Sequence, residues 1–405
     1  MDKGGVKIGV GMSLEPDTRI AAREAAREAM SRGGLERADW ALCFFSSDHM
    51  GRADAMHTVV LEETGCLALS GCSATGVIAN EREIEGRPAL GVMAGSTPGV
   101  LVKSALLPES GAGLDTLVSR KGAPHPAQGE DPWTVIALPD SYRVNNDRLV
   151  RLLEQNLPGV PVFGAGAADD GSLGLSLQMG LEGVRSASIA TLSFQGPFET
   201  AVGITQSCTA VGEPHFITAA KDFVMIELDG RPAVHSFIEQ AQALELGDMQ
   251  QAAEELLFGF PLDRESPQFV GESCLVRALG GFDQPTQGLL VPYPMDDRMT
   301  MGFMHRSPSN AELDMRRMAG ALSERMSGPP DFGLYFDCAA RGSRFYGREG
   351  VDTSIISTHL GQFPLLGMFG GYELSTAHGA PHVYTYTGVL LLMRLPGEDR
   401  ESPPR

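Results

Sequence analysis

The stretch from Phe332 to Leu395 decides how the chain is read. It opens on an apolar strand, DFGLYFD (331–337), and breaks at once into Cys338-Ala-Ala-Arg-Gly342. A helical segment around Val351 to Leu360 follows. A second apolar run, FPLLGMF (363–369), then ends in Gly370-Gly371-Tyr372-Glu373. A last strand, Val383 to Met393, closes the segment. Polar and glycine residues therefore fall where two strands stop, which is where an α/β scaffold carries its binding groups.

Working outward, the same order occurs twice more. Trp40 to Phe45 (WALCFF) is a strand, Arg52 to about Glu63 a helix, and CLALSG a strand ending in Gly71-Cys-Ser-Ala-Thr-Gly76. Trp133 to Leu138 is a strand, Asn145 to Asn156 a helix, and Val160 to Phe163 a strand ending in Gly164-Ala-Gly-Ala-Ala-Asp169. From strand to glycine turn the spans Trp40–Gly71, Thr134–Gly164 and Gly333–Gly367 are 31, 30 and 34 residues. Such agreement predicts a repeated β-loop-α-β-turn-β unit. Ahead of the first copy, Val6 to Leu14 alternates as a strand, and Asp17 can cap an alanine-rich helix through Met30. Residues 110–132 are rich in Gly, Pro and charge and read as a flexible connection. The chain turns β-rich between the second and third copies, and Asp229-Gly230 marks a tight turn at which a domain boundary is placed. The expected class is α+β: two domains of mixed and antiparallel sheets covered by helices in layers.

Composition limits the function classes. The 405 residues are 42% apolar and 20% charged, enough for a large core and two or more domains. A net charge of -19 opposes polyphosphate backbones and anionic lipid, so nucleic acid and membrane insertion are not expected. Six scattered cysteines without CxxC spacing read as reduced, buried thiols. The start, MDKGGVKIGVG, has no apolar leader, and no apolar run reaches membrane-span length, so the expected location is cytoplasmic.

Several sharper motifs fail. Asp169 stands where a dinucleotide turn needs its third glycine, and DGSLGLSLQMG is not a helix. Gly71-Cys-Ser73-Ala-Thr75 lacks the closing glycine of a nucleophile elbow. Asp169-Asp170 offers only two adjacent carboxylates, and Gly379 and Pro381 break the helical spacing of His378 and His382. Cys338 with Arg341 survives. The arginine can favour a thiolate at Cys338, grip a ligand carboxylate with two hydrogen bonds, or pair internally with Glu373 across neighbouring turns.

Over most of its length the chain resembles the FIST family. The resemblance rests on Gly71-Cys-Ser-Ala-Thr-Gly76, on Phe163-Gly-Ala-Gly-Ala-Ala-Asp169-Asp170 and on ITAAKDFVMIELDGRP (217–232). It continues in Cys338-Ala-Ala-Arg341-Gly342, in Phe369-Gly-Gly-Tyr-Glu373-Leu374 and in Tyr384-Thr-Tyr-Thr387. Tyr372 and Leu374 depart from the family's usual Gly-x-Gly-Glu-Ile pattern. The resemblance, from about 36 to 395, implies an N-terminal FIST domain over 36–229 and a C-terminal one over 230–395; outside it the residues read as a strand and helix in 1–35 and a disordered tail, 396–405. It also implies a sensory module that binds small ligands, with amino acids or related metabolites expected; no catalytic constellation is found, so no enzyme is expected, and the signal would pass to a separate partner protein. The expected site takes Arg341 for a carboxylate and Glu373 for an ammonium group or for Arg341. Cys338, Gly342, Gly370, Gly371, Tyr372, Cys72, Ser73 and Asp169 would surround them. The alternatives are a haem-based gas sensor with His215, His305 or His382 as axial ligand, an enzyme using Cys338, and a structural assembly component.

Overall fold

The computed structural model describes residues 5–116 and 132–395. Most of the 110–132 connection and all of the 396–405 tail lie outside the described residues. The chain forms two compact units, one from residues 1–203, 316–383 and 387–405, the other from 204–315 with 384–386. The turn at Asp229-Gly230 therefore falls inside the second unit, between the strands Val224–Leu228 and Arg231–Pro232. Among the described residues no helix is long and apolar enough to cross a membrane.

The first unit is built from three copies of one βαβ motif. In the first copy the helix Ala53–Thr64 joins the parallel strands Trp40–Phe45 and Ala68–Ser73. In the second, Asn146–Asn156 joins Trp133–Pro139 to Val162–Ala165. In the third, Val351–Leu360 joins Phe332–Cys338 to Leu365–Gly370. Each first strand is buried along its whole length, which is why WALCFF, WTVIALP and FGLYFDC show no polar alternation. On its other side each pairs with an antiparallel return strand, Leu90–Ser96, Ser188–Gln195 or Thr387–Arg394. Trp40, Phe194 and Phe332 bring the three copies together, with ring centroids 5.2, 5.4 and 6.0 Å apart.

After its glycine turn, each copy sends a hairpin into the sheet of another copy. Gly76–Ala79 with Arg82–Glu85 leaves the first copy and pairs with Leu365–Gly370 of the third. Glu373–Ala377 with Ala380–Tyr384 leaves the third and pairs with Val162–Ala165 of the second. Gln178–Gly180 with Gly183–Arg185 leaves the second and pairs with Ala68–Ser73 of the first. The exchange is cyclic and closed. With the outer strands Lys7–Ser13, Leu101–Pro108 and Glu199–Gln206, it makes three six-stranded sheets of the same connectivity. The acidic run NEREIEG is thus half of a hairpin, and the expected final strand is two, Ala380–Tyr384 and Thr387–Arg394, separated at Tyr386 with φ 61°.

The three glycines that set the repeat length occupy one structural position. A Cβ on Gly71 would lie 2.1 Å from the Cys43 carbonyl oxygen, one on Gly164 1.9 Å from Ala137 O, and one on Gly367 2.2 Å from Tyr335 O. In every case the oxygen belongs to the register partner in the parallel pair. Only a residue without a side chain lets the two strands approach so closely just before the chain leaves its sheet.

The second unit is an eight-stranded sheet. Cys208–Lys221 spans it, pairing with Thr300–Arg306 along one half and with Val224–Leu228 along the other, through register shifts. A bent strand can serve two neighbours this way. The helix Ala233–Ala243 covers one face, where Phe237, Phe258 and Phe303 stack in the core.

Alanine at Gly71, Gly164 or Gly367 is expected to lower stability by roughly 1–3 kcal/mol or more, because the obstructing atoms are backbone. Gly320→Ala, inside the helix Pro308–Arg325 and facing open space, should instead stabilise by about 0.5–1 kcal/mol. Urea unfolding of the four variants checks both signs; neutral alanines at the three strand positions would contradict the close-approach account.

Candidate functional site

The exchange draws the turns after the three second strands into contact. Thr75 N donates to Phe369 O at 3.0 Å, and Thr75 Oγ1 to Asp169 O at 3.1 Å. Ala168 N donates to Ser73 O at 3.1 Å, Gly166 N to Tyr372 O at 2.9 Å, and Gly371 N to Gly166 O at 3.0 Å. Gly370 O accepts from Ala339 N at 2.9 Å, which ties in the turn after Phe332–Cys338. Ser73, Asp169, Gly370, Gly371 and Tyr372 thus meet, as the sequence suggests, but mainly through backbone.

The side chains of Ser73 and Asp169 are spent on that junction. Ser73 Oγ accepts from Leu177 N at 3.0 Å. Asp169 accepts from Leu173 N at 2.6 Å, Gly174 N at 3.0 Å and the Tyr142 hydroxyl. Cys72 Sγ lies 3.4 Å from Met368 Sδ, and burial pushes its thiol well above the ordinary range. These residues shape a buried corner rather than the wall of an open site.

Arg341 is fully buried and caged. Its Nη2 donates to Asp352 Oδ2 at 2.8 Å and to the Tyr346 hydroxyl at 2.9 Å, and its Nε lies 2.9 Å from Asp337 Oδ1. The Tyr335 and Tyr346 hydroxyls donate to the two oxygens of Asp352, at 2.7 and 2.8 Å. Burial alone would lower the arginine's pKa, but Asp352 foremost among its neighbours raises it, so the guanidinium stays charged. Burial pushes Asp337 well above the usual carboxylate range against the pull of Arg341. The expectation that Arg341 meets a ligand carboxylate or Glu373 is therefore corrected: its charge is matched by Asp352 and Asp337 inside the fold.

Glu373 lies in the same interior with different partners. Thr387 Oγ1 and N donate to its Oε2 at 2.6 and 3.3 Å, and it neighbours the Cys338 thiol. Among the described residues its Oε1 has no hydrogen-bond partner. Burial, partly offset by Thr387, pushes Glu373 up to about 8. At neutral pH it is mostly a neutral acid.

Glu83, Glu85, Asp337, Asp352 and Tyr346 escape the sequence reading. The helices Ser343–Tyr346 and Val351–Leu360 have glycine, Gly342 and Gly350, at the N-cap and hence no capping side chain. The hairpin donated by the first copy supplies it. Glu85 accepts from Ser343 N at 2.6 Å, while Glu83 accepts from Thr353 N at 2.8 Å and Gly350 N at 3.2 Å. Carboxylates satisfy the orphan N–H groups and suit the positive helix end. A Cβ on Gly342 would lie 2.1 Å from the Glu85 carboxylate oxygens, so a side chain there would displace this cap. Burial, reinforced by the nearby Asp352, pushes Glu83 up to about 7.

Above this network lies a cleft of about 340 Å³. One wall is Ile8, Gly9 and Val10 on Lys7–Ser13, a strand at the edge of its sheet. The opposite wall is Thr353, Ile356 and Ser357 of Val351–Leu360, and the floor is Phe363, Pro364 and Leu365. Arg32 and Glu81 stand at its border with Gln362, whose amide donates to Glu81 Oε1 at 3.1 Å. Thr353 belongs to both features, donating through N to Glu83 and through Oγ1 to Glu81 O at 3.2 Å. The histidines considered as axial ligands lie elsewhere: His215 beside Asp229 at 2.7 Å, His305 beside Glu255 at 3.5 Å, and His382 half-buried on Ala380–Tyr384.

Family models for the FIST N domain and the FIST C domain match residues 39–231 and 239–375. An uncharacterised protein of Mycobacterium tuberculosis is 28% identical over 392 residues, covering 96% of this chain and all of that relative. An uncharacterised protein of Mycobacterium bovis is 27% identical over 387 residues, covering 96% of this chain and 98% of that relative.

Two outcomes follow from the buried charges. Arg341→Met strands two buried carboxylates and should cost about 3–5 kcal/mol by urea unfolding; a neutral effect would contradict the cage. Glu373 and Glu83 hold their protons up to about 8 and about 7 in the fold, against 4.5 in the unfolded chain. The folded state therefore binds more protons in that window, and stability falls as pH rises from about 4.5 to about 8. Glu373→Gln should flatten that slope.

Proposed function

Because this chain belongs to the FIST family, whose domains are associated with signal transduction and ligand sensing, we propose that it is a sensor for small metabolites of the amino-acid class. It would pass the signal to a separate partner protein. The observation that carries the reading is the cleft beside Val351–Leu360, whose volume of about 340 Å³ lies in the range of small-molecule sites. Its lining combines an apolar wall of Ile356, Phe363 and Leu365 with one cation, Arg32, and one anion, Glu81. That combination suits a zwitterion with an apolar side chain. The walls are rigid, because Thr353 is anchored to the capped and caged interior. A ligand there bridges an edge strand and a helix and can shift the population a partner recognises.

A thermal-shift screen of amino acids and related metabolites tests the reading. At a hundred times Kd a ligand stabilises by about 2.7 kcal/mol, a readily measured rise in Tm. Ser357→Trp fills the cleft from a half-exposed helix position and should abolish the response while the variant remains folded. A variant that responds as wild type does would move the site elsewhere.

A further inference from the structure

The second unit contains a separate hollow of about 190 Å³ at the Asp229-Gly230 turn, between Cys208–Lys221, Val224–Leu228 and the helix Ala233–Ala243. We propose that it binds a compact, neutral, polyhydroxylated molecule. Phe216 N donates to Asp229 Oδ1 at 2.9 Å, and Asp229 Oδ2 lies 2.7 Å from His215 Nδ1. A carboxylate so placed engages Nδ1 and leaves the Nε2 edge of the ring for another partner. Across the hollow, Arg231 forms a two-pronged pair with Glu239, at 2.5 and 3.2 Å, so the lining presents no unmatched cation.

The remaining polar groups are unspent. Ser236 lines the hollow, is only 7% exposed, and its hydroxyl finds no hydrogen-bond partner among the described residues. The Gln240 amide, also in the lining, finds none either. It reaches its place over Gly212, where a Cβ would come within 2.4 Å of Gln240 Oε1. Neither group is shut off from solvent, so hydroxyl and amide are both open to hydrogen bonds from a molecule in the hollow. Leu228 is the apolar contribution to the lining, which disfavours a hydrocarbon ligand. The volume equals that of about six water molecules, the scale of a triose to pentose polyol. Hydroxyl groups, which donate and accept, match an imidazole nitrogen, a serine and an amide together.

The test is saturation-transfer NMR on the full chain with ribitol, ribose and, as comparators, inorganic phosphate and isobutanol. Transfer to the polyols is expected, reduced about fivefold by Ser236→Val and by Gln240→Leu, as for loss of one hydrogen bond. Ser357→Trp, in the cleft of the first unit, should leave it unchanged. Because the Ser236 hydroxyl bonds nothing among the described residues, Ser236→Val should keep the wild-type urea midpoint, so lost transfer is not lost folding. Absence of polyol transfer to wild type, equal transfer to both variants, or a phosphate signal that exceeds the polyols and disappears in the variants would each overturn the proposal.

Discussion

The rest of the first unit depends on a steric constraint: at the end of each second strand the chain presses against the carbonyl of its neighbour, and only glycine fits. Gly71, Gly164 and Gly367 meet that constraint at equivalent places. Beyond each, the chain crosses into another sheet, so three copies that could each be a small βαβ layer are joined in a ring of exchanged hairpins. No copy can complete its sheet alone.

The exchange also explains the concentration of charge in the third copy. Its helices begin at glycines and lack their own caps, and the donated hairpin brings Glu83 and Glu85 from more than 250 residues away. Next to these acids, Asp337 and Asp352 surround Arg341. Burying so many ionisable groups is costly. The structure limits that cost by keeping Glu373 mostly protonated, by setting Arg341 beside Asp337 and by giving Asp352 two tyrosine hydroxyls. A motif that looks like a ligand grip in the sequence is thus the brace of a helix pair, and the cleft is lined by the neighbouring residues Thr353, Ile356 and Ser357.

Much of the repeat was legible. Equal spacing from strand to glycine gave the three copies, and the apolar runs located their strands. The partners were not, because spacing along the chain carries no sign of which sheet a hairpin enters. NEREIEG hid its strand: Ile84 is the one apolar side chain in it, and Glu83 points inward to cap a helix rather than outward to water. Arg341 drew attention correctly, but its partners Asp337 and Asp352 read as a strand end and a helix start. The cleft was invisible because its walls come from residues 8–10, 80–81 and 353–365, none of which carries a motif.

The cleft's helix wall hangs on the interlocked core through Thr353. The measurement that tests the interlocking most directly is native-state hydrogen exchange at the amides of Ala68–Ser73, Val162–Ala165 and Leu365–Gly370. A closed exchange predicts one shared opening free energy for the three strands, equal to that of global unfolding. If one strand exchanged through a separate, lower-energy opening while the other two stayed protected, the copies would not be interlocked and the account would fail.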